Sequence, residues 1–96
     1  MDKQEYVINE KEQKTQIEVK TRVFANHIVE ALIKERKRQG ITQQEIADIT
    51  GMKAPNITRI ESRKFTPTLD VLLRYAKAIG KELHFELVDE DKREGK

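Results

Sequence analysis

The stretch GITQQEIADITGMKAPNITRIESRK, residues 40–64, decides how the rest of the chain is read. It opens on Gly40, a residue suited to the left-handed position just past a helix end. Thr42-Gln43-Gln44-Glu45 follows. The Thr42 hydroxyl caps an amide three residues on, and the Glu45 carboxylate returns to the Thr42 amide, which is the capping-box signature of a helix start. Ile46 and Ile49 are the core-facing positions expected of this helix, and Gly51 ends it. A further short helix is predicted from about Ala54 to Glu61, with Pro55 in its first turn, where a missing N–H costs little.

These two helices are expected to meet at a steep angle. Ala47 lies where they cross, and only a small side chain permits close approach. Gly51 sits at the bend, where a positive φ is needed and no Cβ clashes. Met52 fills the corner, and Ile46, Ile57 and Ile60 form a shared core. From Ala47 it is four residues to Gly51, ten to Ile57 and thirteen to Ile60, the spacing of a helix-turn-helix.

Working outward, a first helix is predicted from about Arg22 to Gln39, with Phe24, Ile28 and Leu32 on one face and Lys34, Arg36, Lys37 and Arg38 toward its negative end. Beyond Pro67, Thr68 caps a fourth helix whose apolar stripe is Leu69, Leu72, Leu73, Ala76 and Ile79, stopped by Gly80. Leu83, Phe85 and Leu87 alternate with Glu82, His84 and Glu86, the period of a C-terminal strand. Thr15, Ile17, Val19, Thr21 and Val23 alternate with polar residues in the same way, as a short strand, an extended segment or the lead-in to the first helix. The expected organisation is a flexible or extended arm over residues 1–20, one domain over 21–88, and a disordered tail over 89–96.

Composition narrows the class. Of 96 residues, 36% are hydrophobic and 38% charged, so the core is modest and the surface ionic. With no cysteine, disulfides and Cys-based zinc sites are excluded, and a reducing cytoplasm is the expected home. No apolar run has the length of a membrane span or a signal peptide. The two histidines, His27 and His84, are far apart, and no metal site or other cofactor is expected. No nucleophile has a base near it and no glycine loop cradles phosphate, so an enzyme is not expected. The net charge is +2, but residues 21–81 carry 12 basic against 6 acidic groups, while both flanks are acidic. A basic middle suits a polyanion, and a solvated helix face looks similar.

Residues 32–83, with "GITQQEIADITGMKAPNITRIESRK" and "PTLDVLLRYAKAIG", resemble the Xre/phage-repressor (Cro-like) helix-turn-helix family. The resemblance implies a mainly α, lambda-repressor-like bundle of four to five helices, here with a C-terminal β-strand, acting as a homodimer on a palindromic double-stranded DNA operator. Carried over by position, Gln43 and Gln44 are candidates for phosphate and base contacts. Lys53, Ala54, Pro55 and Asn56 form the edge of the recognition helix that meets bases, with Thr58 and Arg59 one turn on and Arg63 and Lys64 placed for phosphates. Family members often carry Ser and Gln where this chain has Lys53 and Ala54, so the operator cannot be borrowed from relatives. Ile46, Ala47, Gly51, Ile57 and Ile60 have a structural role, and Arg36 and Glu61 look like the family's tie between first and third helices.

The charged arm and C-terminal strand make the chain similar to HigA-type antitoxins. That resemblance implies a ribonuclease toxin as partner, an arm that contacts it, and repression of the chain's own operon. A stand-alone phage or host repressor is the alternative, and a protein-interaction module without DNA is disfavoured by Lys53, Arg59, Arg63 and Lys64.

Overall fold

From Met1 to Gln39 the chain contains neither glycine nor proline, and straight-chain Gln, Glu and Lys dominate its first twenty residues. Nothing in that composition breaks a helix once it has started. The computed structural model describes the backbone of residues 3–90 and side chains from residue 11 onward. In it a single uninterrupted helix, α1, spans Lys3–Arg38. At about 1.5 Å per residue its 36 residues span roughly 54 Å, close to the molecule's longest dimension of 56 Å.

Three short helices follow: α2 (Gln43–Thr50), α3 (Ala54–Ser62) and α4 (Leu69–Ala78). The capping box of α2 is formed in both directions, Glu45 N donating to Thr42 Oγ1 at 3.0 Å and Thr42 N to Glu45 Oε1 at 2.8 Å. Thr68 caps α4, accepting from Val71 N at 3.3 Å. The core draws Val29 and Leu32 from α1, Ile46 and Ala47 from α2, Ile57 and Ile60 from α3, and Leu72, Tyr75, Ala76 and Ile79 from α4 and its end. Burying each large apolar side chain contributes about 1.5–3 kcal/mol.

One open reading is resolved and three expectations are corrected. First, of the alternatives for residues 15–23 the helical lead-in is the one formed: Thr21 Oγ1 donates back to Ile17 O at 2.7 Å, and all of residues 11–24 are exposed. Second, there is no β-strand among the described residues, so the C-terminal strand is not formed. A strand needs a ladder partner, and the helical state of residues 15–23 removes the one candidate within the chain. Third, the first helix buries Ala25, Val29, Leu32 and Arg36; of the expected line Leu32 is buried and Ile28 is half-buried against the core, but Phe24 is 61% exposed. Fourth, Ile49, Leu69 and Leu73, expected on buried faces, are exposed, while Tyr75, absent from the expected stripe, is fully buried. Met1, Asp2 and residues 91–96, which include most of the expected tail, lie outside the described residues.

Candidate nucleic-acid interface

The pair α2–α3 is set by the turn between them. Gly51 adopts φ 79°, and its N–H closes α2 onto Ala47 O at 2.9 Å. Ala47 is buried at the crossing, and Met52 is packed in the corner against the core. α3 then presents Ile57 and Ile60 inward. Successive helical residues turn by about 100°, so Pro55, Arg59 and Ser62 form the line opposite that buried face. All three are exposed.

A buried polar frame holds this pair to α1 and α4. Arg36 is only 8% exposed, and each of its three guanidinium nitrogens donates a hydrogen bond. It donates to Glu61 Oε2 at 2.9 Å and Oε1 at 3.0 Å, to Ile41 O at 2.8 Å, and to the Tyr75 hydroxyl at 3.1 Å. Tyr75 in turn donates to Glu61 Oε2, and Gln43 Nε2 donates to Glu61 Oε1 at 2.9 Å. Both carboxylate oxygens of Glu61 thus accept two bonds. Burial pushes the Glu61 carboxyl up, but the hydrogen bonds from Arg36, Tyr75 and Gln43 outweigh it and hold the group below the usual carboxylate range. No buried side-chain polar atom is left without a partner among the described residues.

The expected contact residues separate into different settings. Lys53 is exposed and stands as N-cap of α3 without a side-chain cap bond. Pro55, Asn56, Thr58 and Arg59 are exposed on α3. Asn56 and Arg59 border a shallow depression with Met52, Ile60, Phe65 and Val71, and the Arg59 guanidinium stacks over the Phe65 ring at 4.3 Å. Ala54 is half-buried and packs against the core, so it offers less to a partner than its neighbours. Gln43 is half-buried, tied to Glu61 and to Thr58, whose Oγ1 donates to Gln43 Oε1 at 2.8 Å. Gln44 is exposed and donates to Asp48 Oδ1 at 2.9 Å.

Past α3, Arg63 takes the left-handed conformation at φ 60° and pairs with Glu30 on α1 at 3.0 Å. Both partners are well exposed, and such surface pairs are worth only about 0–1 kcal/mol. Lys64 is exposed, and its carbonyl accepts from Arg22 at 3.1 Å. Residues 53–64 thus carry Lys53, Arg59, Arg63 and Lys64 on the outside, while their one acid, Glu61, is turned inward and paired.

Ser62 was missed by sequence reasoning, although it follows Pro55 and Arg59 at i+7 and i+3. Tyr75 was also missed, because its hydroxyl gives no signal in a stripe of apolar residues. Among the described residues no group of acids and histidines is placed to hold a metal ion, and no helix is long and apolar enough to cross a membrane.

A solvent-exposed helix with basic residues along and beyond it, braced at its start by a second helix, fits a B-DNA major groove about 12 Å wide. Comparisons with known proteins bear on the family. A helix-turn-helix family model matches residues 32–85. An HTH-type transcriptional regulator of Methanothermobacter thermautotrophicus is 39% identical over 64 residues, covering 62% of this chain and 91% of that protein. One of Haemophilus influenzae is 36% identical over 56 residues, 58% of this chain and 57% of its own length. Antitoxin HigA1 of Mycobacterium tuberculosis is 35% identical over 63 residues, 66% of this chain and 42% of its own. No solved structure matches the chain. With more than half its length matched, the chain belongs to the Xre-like helix-turn-helix family of DNA-binding transcriptional regulators.

Proposed function

We propose that the chain is a sequence-specific repressor that grips a palindromic operator as a homodimer in the cytoplasm, and that it is the antitoxin of a bacterial toxin–antitoxin pair, neutralising a ribonuclease and repressing its own operon. The observation that carries the DNA half is the outer surface of α3, where Pro55, Arg59 and Ser62 face away from the core between Lys53 and the Arg63–Lys64 pair. Gln43, Gln44, Asn56 and Thr58 complete the contact set, and Ala54 has a supporting place in it. One such unit offers too little DNA contact for specific binding, so two copies reading half-sites about 34 Å apart are required. Large apolar side chains left exposed, Phe24 on α1 and Leu87 and Val88 near the C-terminal end, support a protein partner of some kind.

The antitoxin half rests on the likeness to HigA1 and on α1, whose exposed helical stretch before the core is a ready contact for a second protein. The two relatives named simply as regulators favour the stand-alone repressor instead. Recovery of the tagged protein from its native cells, with bound DNA and protein both identified, separates the readings. A small basic partner together with the gene's own promoter supports the antitoxin, a promoter alone supports the plain repressor, and a protein without DNA refutes both.

A further inference from the structure

Both exposed hydroxyls of α3 have their protons committed, Ser62 to the Arg59 carbonyl of its own helix at 2.6 Å and Thr58 to a side chain of α2, and only the second commitment is set by the buried frame. The chain of constraint starts in the interior. Arg36 carries only donors and cannot lose its charge. Its two bonds fix Glu61 as an ionised carboxylate, which only accepts. The Gln43 amide therefore turns its NH2 toward Glu61, which settles an orientation that geometry alone leaves ambiguous. Its carbonyl oxygen then faces Thr58. An amide oxygen cannot donate, so the Thr58 hydroxyl gives up its one proton at 2.8 Å. What Thr58 has left to offer on the exposed side of α3 is lone pairs.

We infer that Thr58 is a specificity-determining residue that reads an exocyclic amino group in the major groove, adenine N6 or cytosine N4, and discriminates against guanine and thymine at that position. In the major groove those amino groups are the donors, whereas guanine O6 and thymine O4 are acceptors that a proton-depleted hydroxyl cannot bond. The buried Arg36–Glu61 pair, besides tying α1 to α3, thereby sets the polarity of one point on the DNA-facing surface through Gln43. This inference rests on the proposed DNA-binding role of α3.

The test is selection of bound duplexes from a random pool by the full chain and by Thr58→Val, which replaces the hydroxyl with a methyl group at an exposed position, with Thr58→Ser as the conservative control. The expected result is one position per half-site that is adenine or cytosine for the parent and for Thr58→Ser, and unrestricted for Thr58→Val. Replacing that base by its analogue without the amino group, purine for adenine or pyrimidin-2-one for cytosine, weakens the parent by about two- to tenfold, the worth of one hydrogen bond, and leaves Thr58→Val unchanged. Gln43→Ala releases the Thr58 proton and extends the tolerated bases to guanine and thymine there. A guanine or thymine preference that depends on Thr58, or equal preferences in parent and Thr58→Val, overturns the inference while leaving the DNA-binding reading intact. Absence of any enriched sequence with the parent overturns both.

Discussion

Arg36→Met isolates what the buried ion pair does for stability. The substitution keeps most of the aliphatic stem, so little cavity opens, but it deletes four hydrogen bonds. Glu61 is left with Tyr75 and Gln43 as donors around a carboxylate whose side chain is 9% exposed, and the Ile41 carbonyl loses its guanidinium donor. Stranding one partner of a buried pair costs about 3–5 kcal/mol, a large part of a small domain's stability. Adding Glu61→Leu removes the stranded charge, so the double variant recovers at least about 2 kcal/mol over the single one. Urea unfolding followed by far-ultraviolet circular dichroism, at one protein concentration, measures both. An Arg36→Met loss below about 1 kcal/mol, or a double variant no better than the single, refutes the account. Acidity gives a second reading. Glu61 is held below its ordinary 4.5 in the folded state, so the folded chain binds fewer protons than the unfolded one there. Its contribution is complete above that value and is lost as pH falls through the folded one. In Arg36→Met the opposing burial gains weight and the acid dependence flattens.

Gly51→Val meets no neighbouring atom at its Cβ, so its cost is conformational, about 1–3 kcal/mol at φ 79°, and Gly51→Asn is milder; equal melting temperatures for the two variants would contradict this. Thr42→Ala removes half of the capping box and lowers stability by about 1 kcal/mol in the same urea assay. Arg63→Ala weakens binding to all duplexes alike and reduces the slope of log affinity against log salt by about 1, whereas Asn56→Ala relaxes preference at one base position; binding titrations at several salt concentrations separate the two.

The helix-turn-helix was legible because its signals are local. The Thr42–Glu45 box, Gly51 at the bend and Pro55 in the first turn of α3 each act within a few residues, and all stand where expected. What failed depends on partners distant in sequence. Period-2 alternation over residues 15–23 suggests a strand only if another strand is at hand; without one, the absence of any glycine or proline lets α1 continue to Lys3. On α1 the buried line was legible at Leu32 and Ile28 but not at its outer end, where Ala25 is buried and the more hydrophobic Phe24 is exposed. In the candidate site, residue types were legible and their internal commitments were not: Gln43 and Thr58 look like free polar groups until α2 and α3 are folded against each other.

The long first helix has a kinetic consequence. Its backbone bonds are alike along its length, yet from Ala25 onward one face is packed against the core, while residues 11–24 are exposed. Amide hydrogens in the inner half exchange only when the whole domain opens, and those in the outer half whenever the helix frays. One uninterrupted element thus holds two lifetimes, with the Arg22 bond to Lys64 marking the boundary. A protease trimming the chain from its N-terminal side would meet little resistance until that latch, and would leave behind a domain as stable as the one it began with.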